Sequence, residues 1–180
     1  MEEEKATYKL INAGGNHYDI GRKMTDAITE ALLSKLTSPI SEERAQQSIA
    51  SAETAFAAHP VLRDEVQGIC EGISIDIEAM LAEISDTSAG KTETSTVLCK
   101  TADGNILLGR SLAAAPETHV RNLLRLDPND SYASLGRMAG YFGGTWESTS
   151  VFGYSICVDI TGNTLDPTGI AAYMVPRMLT

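Results

Sequence analysis

The sequence predicts an α+β fold, in which a run of helices is followed by a run of antiparallel strands. Apolar residues in the first half recur every three or four positions, which is the period of an amphipathic helix. In the second half, short apolar and β-branched runs are separated by turn signals, which is typical of strands. Helices grouped before strands favour α+β over an alternating parallel sheet.

The first two helices are predicted upstream of residue 60. The first carries an apolar stripe at four-residue spacing over residues 20–36 and ends near Pro39. Ser41 is the expected N-cap of the second helix, since its side chain can accept a hydrogen bond from an unpaired backbone N–H. This helix is expected to bury Ala45, Ile49, Ala52 and Phe56.

Two shorter helices follow. Pro60 suits the first turn of the third helix, where its missing N–H has no intrahelical partner to lose. The apolar stripe of that helix covers residues 62–69, and Gly72 is its predicted end. Asp76 is the predicted cap of the fourth helix, which is expected to bury Ile77, Met80, Leu81 and Ile84.

Asp103-Gly104 is a turn signal that predicts a β-hairpin in the middle of the chain. Glycine supplies the positive φ that matches the twist of paired strands, and the flanking runs 94–98 and 106–108 are apolar or β-branched. Further strands are predicted over residues 122–127, 132–138 and 151–160, with a turn at residues 127–130.

The composition is that of a globular protein with a sizeable core. The chain has 180 residues, of which 43% are hydrophobic, and this length suits one structural domain. The formal net charge is −10 and basic residues form no run, which disfavours nucleic acid and anionic membranes as partners. The sequence shows neither a membrane span nor a secretory signal, so we expect a cytoplasmic protein.

The cysteines and histidines indicate no cofactor. Cys70, Cys99 and Cys157 are odd in number and widely spaced, which predicts reduced, buried thiols. Cys99 is expected in the core, on the strand face opposite Thr94. The three histidines lack the spacing of metal ligands, and no glycine pair is followed by the Lys-Ser/Thr of a phosphate loop.

Thr94 is the candidate nucleophile, because it opens a predicted strand directly after the small, polar segment 87–92. Cleavage between Glu93 and Thr94 would give Thr94 a free α-amine beside its own hydroxyl, and the amine can act as the base. Such a site needs no histidine. The plainer interpretation is that Thr94 is an ordinary β-branched strand residue, and both interpretations stay open at this point.

Several segments, in order along nearly the whole chain, are similar to motifs of one family. Residues 17–21 resemble a Tyr-Glu-Ile-Gly motif that begins the family's first helix, and residues 65–76 resemble its Glu-Ile-x-Gly-Ile-Ala-Glu-Gly segment. Residues 109–113 resemble its Gly-Arg-Asn-Leu-Asp-Trp segment. Residues 153–163 and 176–179 resemble a later strand and helix. The chain thereby resembles the N-terminal-nucleophile (Ntn) hydrolases of the penicillin acyltransferase (peptidase C45) and bile-salt hydrolase type.

The resemblance implies an amidohydrolase or acyltransferase acting on a linear amide bond of a small-molecule substrate, without a cofactor. It puts Thr94 at the nucleophile position, Arg110 at a substrate-binding position and Asn163 at an oxyanion position, with autocleavage between Glu93 and Thr94. It also implies an αββα sandwich, a helical pro-segment over residues 1–92 and an incomplete catalytic region over residues 93–180. We therefore expect a truncated member that can form a homo-oligomer.

Departures from the family pattern keep two alternatives open. Thr94 stands where the family usually has Cys, and Ser111 and Ala113 stand where it has Asn and Asp. A catalytically degenerate relative would keep only small-molecule or partner binding. A helical partner-binding module is the third hypothesis, based on the acidic charge. In these cases Arg110 is a solvated strand-end charge and Asn163 an ordinary turn residue.

Overall fold

The computed structural model describes residues 9–27, 33, 41–84, 93–113, 122–139, 144–157 and 174–179. Within these ranges the protein is a mixed α/β structure with a five-stranded mixed sheet, a separate two-stranded hairpin and several helices, so α+β is confirmed at this coarse level. In chain order the elements are β1 (Lys9–Gly15), α1 (His17–Met24), a 3-10 turn (Thr25–Ala27), α2 (Glu42–Ala58), α3 (Val61–Ile73), α4 (Ile77–Ile84), β2 (Glu93–Lys100), β3 (Ile106–Ala113), β4 (Asn122–Pro128), β5 (Ser134–Ala139), β6 (Gly144–Ser150), β7 (Ser155–Cys157) and α5 (Val175–Leu179).

The larger sheet has the order β1-β4-β5-β6-β7, and it joins the two halves of the chain. β1 lies parallel to β4, and the other neighbours are antiparallel. The expectation that the first half is helical was therefore wrong at β1. Ile11 and Ala13 are buried while Leu10 and Asn12 are exposed, which is the alternation of a strand with one buried face.

The core lies between one face of this sheet and the helices. Ile11 is paired with Leu124 and Ala13 with Leu126, and all four side chains are buried. On the opposite face of the sheet, Leu10 is exposed. From the helices, the buried side chains that complete this core include Ile20, Met24, Phe56, Leu62, Val66, Ile69, Met80 and Leu81.

Two glycines fix the packing of α1 on α3. A Cβ atom on Gly21 would lie 2.0 Å from the carbonyl oxygen of Glu65, and one on Gly68 would lie 2.2 Å from the carbonyl oxygen of Tyr18. The two backbones are thus in direct contact, and only glycine leaves room for that approach. This contact brings the first turn of α1 against the middle of α3.

The predicted helices are confirmed in part. α2 follows Ser41 as expected, and the Asp76 carboxylate accepts a hydrogen bond from the Glu78 backbone N–H at 2.8 Å at the start of α4. The first helix is shorter than predicted: α1 ends at Met24 and passes into the 3-10 turn. Residues 28–32 and 34–40 of that prediction lie outside the described residues.

Gly72 was the wrong terminator for α3. The helix continues to Ile73, and Ser74 ends it in the left-handed conformation with φ 58°. Gly72 is needed for space instead, since a Cβ there would lie 2.2 Å from the Thr25 side chain. A glycine in a helical pattern can therefore mark a close contact and not an end.

Among the strands, the β2–β3 hairpin is confirmed, with Gly104 at φ 90° in its turn. The strand predicted over residues 151–160 is confirmed only at β7 (Ser155–Cys157), because residues 151–153 form a turn in which Gly153 has φ 82°. Residues 158–160 of that prediction lie outside the described residues. Cys99 is exposed, not buried, since β2 and β3 form a two-stranded sheet of their own. Cys70, Cys99 and Cys157 are all free thiols.

Candidate functional site

A buried charged cluster lies where α1, α3, α5 and the connection after β4 meet. His17 begins α1, directly after Asn16, whose side chain caps the helix by accepting from the Asp19 backbone N–H. His17 Nδ1 lies 2.7 Å from Glu65 Oε1, and His17 Nε2 lies 3.0 Å from Asp130 Oδ1. One imidazole ring therefore bridges two carboxylates.

The fold delivers each partner by a local contact. The helix contact at Gly21 holds the backbone of Glu65 against α1. The backbone N–H of Asn129 donates to the carbonyl of Gly15 at 2.9 Å, which ties the connection after β4 to the turn between β1 and α1. That bond places Asp130 beside the exposed edge of the His17 ring.

Arg177 completes the cluster from α5. Its Nη2 atom donates to Glu65 Oε1 at 2.5 Å, so His17 and Arg177 contact the same carboxylate oxygen. The Glu65 residue is 1% exposed and Arg177 is 8% exposed. A buried carboxylate is stable only when it is paired and hydrogen-bonded, and these two cationic side chains supply both conditions.

The pKa values of the pair shift in the directions that favour charge. The hydrogen bond to Glu65 raises the pKa of His17 and outweighs the opposite effect of burial. Burial by itself would raise the pKa of Glu65, but the charge of Arg177 and the hydrogen bonds from His17 and Arg177 hold that pKa below its ordinary value. An imidazole whose two nitrogens both face carboxylates can donate to both only as the imidazolium ion.

A cleft of about 200 Å³ opens over this cluster. His17 and Arg177 form its charged floor. Val61, Leu62 and Met178 supply an apolar wall, and His59, Asp130 and Ser131 supply the remaining polar groups among the described residues. Arg177 Nε and Glu65 Oε2 are buried and have no hydrogen-bond partner among the described residues. The arrangement can therefore hold a small polar ligand against fixed charges.

The residues predicted from sequence are placed only in part. Thr94 lies in β2, where its backbone is paired with Leu112, and Arg110 lies in β3 opposite Thr96. The side chains of Thr94 and Arg110, and the whole of Asn163, lie outside the described residues, so their roles stay predictions. Thr96 Oγ1 lies 3.7 Å from the sulfur of Cys157 in β7, which brings this hairpin to the larger sheet.

Sequence reasoning missed the charged cluster, although one signal was present. Glu65 falls on the buried stripe of α3, three residues after Leu62 and four before Ile69. A carboxylate in an apolar stripe has to find a buried cation. The partners Arg177 and His17 come from distant parts of the chain, and no sequence spacing links them to Glu65.

The described residues contain no group of three or more His, Cys, Asp and Glu side chains arranged to hold a metal ion. None of the described helices has both the length and the apolar character needed to cross a membrane. A comparison with protein-family models found no match to this chain, and neither did a comparison with the curated proteins.

Proposed function

We propose that this protein is an Ntn-type amidohydrolase or acyltransferase that acts on the amide bond of a small molecule. The observation that carries the proposal is the contact between α1 and α3. The glycines at that contact, Gly21 and Gly68, belong to the two helical segments that resemble the penicillin acyltransferase family. Two of the residues in the resembling segments are therefore the glycines that allow the two helices to pack closely.

The charged cluster adds independent support. Glu65 opens the second resembling segment, and Arg177 belongs to the last one. They lie far apart in the chain, yet their side chains form a buried ion pair. The two family-like segments, residues 65–76 and 176–179, are therefore in contact through this ion pair. Contact between them is what a shared family fold would require.

The proposed architecture is the αββα sandwich, and two features favour it. The helices pack on one face of the five-stranded sheet. Apolar side chains of the β2–β3 hairpin are exposed on both of its faces, among them Val97, Leu98, Ile106 and Leu107. A hairpin of this kind is suited to a larger, covered sheet. In this proposal residues 1–92 form the pro-segment and residues 93–180 belong to the catalytic region of a cytoplasmic protein.

The proposed chemistry begins with hydrolysis of the Glu93–Thr94 peptide bond, in which water supplies the oxygen of the new Glu93 carboxyl group and a proton to the new α-amine of Thr94. The freed α-amine of Thr94 takes the hydroxyl proton as Oγ1 attacks the substrate carbonyl, and the leaving amine takes that proton as the C–N bond breaks. Backbone N–H groups and Asn163 stabilise the oxyanion, and Arg110 orients the substrate. The acyl group of the Thr94 ester then passes to water or to an acceptor amine, and the Thr94 hydroxyl regains its proton.

The intact mass of the purified protein tests this proposal. We expect two fragments that divide between Glu93 and Thr94, and a single full-length species for Thr94→Ala. Ser95→Ala is the matched control and is expected to cleave like the parent. An uncut chain in all three proteins would contradict autoprocessing.

One observation favours the degenerate relative as the second candidate. The register of the hairpin places Ala113 directly opposite Glu93, the residue before Thr94. The family has Asp at position 113, and a carboxylate there would pair with the new α-ammonium group. Ala113→Asp is therefore expected to speed cleavage at Thr94, as followed by mass against time. An uncut Ala113→Asp protein would favour a relative that only binds small molecules.

A further inference from the structure

We propose that the cleft between α1, α3 and α5 is a binding site for a small monocarboxylate, whose carboxylate displaces Asp130 from the cationic floor formed by His17 and Arg177. Binding at this cleft does not depend on the chemistry assigned to Thr94.

The floor of the cleft carries more positive than negative charge when His17 is protonated. In its imidazolium form His17 is a cation, as Arg177 is, and both residues are 8% exposed. Glu65 is the buried carboxylate, among the described residues, that contacts them both. The buried part of the cluster thus carries an excess of one positive charge, and a buried excess charge favours an anion beside it.

The Asp130 carboxylate is a weak counter-charge for this floor. The Asp130 side chain is 62% exposed and reaches only one nitrogen of His17. Water screens an exposed ion pair of this kind, so the contact contributes little. A ligand carboxylate that enters the cleft loses water on binding and faces both cations, which Asp130 does not do.

Arg177 has N–H donors that the described residues leave available for a ligand. A guanidinium group has five N–H donors. Among the described residues, Arg177 makes one side-chain hydrogen bond, from Nη2 to Glu65. Within the described part of the chain, its buried Nε atom has no hydrogen-bond partner. A planar carboxylate matches two neighbouring guanidinium donors at once, which is the geometry in which arginine binds it best.

The walls of the cleft select the rest of the ligand. Val61, Leu62 and Met178 form an apolar side, which suits a short alkyl chain. The volume of about 200 Å³ is below the roughly 300 Å³ at which pockets for drug-sized ligands begin. The chemistry therefore points to a short-chain carboxylate.

Calorimetric titration with butyrate at constant ionic strength, at a pH where His17 is protonated, tests the proposal. We expect butyrate to bind and butyramide, which has a similar shape without the charge, to bind at least tenfold more weakly. Asp130→Asn removes the internal competitor and is expected to tighten butyrate binding about fivefold. Asp127→Asn makes the same change in net charge at a nearby exposed position and is expected to leave the affinity unchanged.

Binding is followed in parallel through the imidazole proton resonances of His17. The proposal predicts that these resonances shift as butyrate saturates the site, and that the same titration in Thr94→Ala gives the same affinity. It is overturned if butyrate does not bind, if butyramide or inorganic phosphate binds as tightly, or if Asp130→Asn fails to tighten binding. Asp130 is exposed, so its variant is expected to fold, which circular dichroism checks first.

Discussion

Replacement of Gly21 by alanine is expected to destabilise the protein more than the same exchange at Gly72 or Gly109. The new Cβ atom would lie 2.0 Å from the Glu65 carbonyl oxygen and 2.8 Å from the carbonyl carbon. Real Cβ atoms essentially never come closer than 3.0 Å to a non-bonded heavy atom outside their own and the adjacent residues. The obstacle is backbone within α3, so no side-chain rotation can relieve it, and α1 has to move away from α3 by about 1 Å.

The magnitude follows from what that shift disturbs. Overpacking a close-packed core costs about 1–3 kcal/mol. The same movement lengthens the His17–Glu65 contact, and losing a charged, buried hydrogen bond costs about 1–3 kcal/mol. The higher helix propensity of alanine returns about 1 kcal/mol. We therefore expect the free energy of unfolding to fall by about 3 kcal/mol.

Urea unfolding, followed by circular dichroism, measures this change. Gly109→Ala is the control, because among the described atoms a Cβ there would meet only the Val97 carbonyl oxygen, at 3.9 Å, and its effect is expected to stay within about 0.5 kcal/mol. Gly72→Ala should lie between the two, since its obstacle is the Thr25 side chain. A Gly21→Ala protein as stable as Gly109→Ala would refute the close helix contact.

Three further predictions concern the charged cluster and the thiols. Because the pKa of His17 is raised in the fold, its stabilising effect is complete below the ordinary histidine pKa of about 6.5 and is lost as pH rises through the folded value. Urea midpoints measured across this range should fall in the parent and stay flatter in His17→Gln, and equal slopes in the two proteins would contradict this role of His17. Glu65→Gln leaves two buried cations without their carboxylate and is expected to lower the free energy of unfolding by about 3–5 kcal/mol; a loss below 1 kcal/mol in urea unfolding would mean that the cluster is not buried as described. Cys99 is exposed, while burial raises the pKa of Cys70 to about 11, so iodoacetamide is expected to label Cys99 first in the native protein and Cys70 only after unfolding, as peptide mass mapping would show.

The elements that depend on local signals were predictable from the sequence. The hairpin turn at Gly104, the cap of α4 at Asp76 and the start of α2 after Ser41 each depend on neighbouring residues. β1 was missed because its role depends on pairing with residues of β4, and no local pattern reports that distant partner. Gly72 was misread because a close contact with Thr25, made by a different element, required the glycine.

The charged cluster shows the same limit more strongly. Glu65 lies on an apolar stripe that the sequence displays, but nothing near it in the chain shows which cation neutralises it. His17 and Arg177 become its partners only after α1 has packed on α3 and α5 has packed beside them. The sequence therefore indicates that Glu65 needs a buried cationic partner, but only the fold shows that the partners are His17 and Arg177.

The parallel pairing of β1 with β4 has a consequence for synthesis on the ribosome. The chain emerges from its amino end, so α1, α2 and α3 are available for packing long before Asn122, the partner of Lys9, has been translated. Contacts between such distant residues form late, because a long loop has to close first. The nascent protein thus carries β1 with an unpaired edge through most of its translation, a window in which a chaperone or a neighbouring nascent chain can bind that strand.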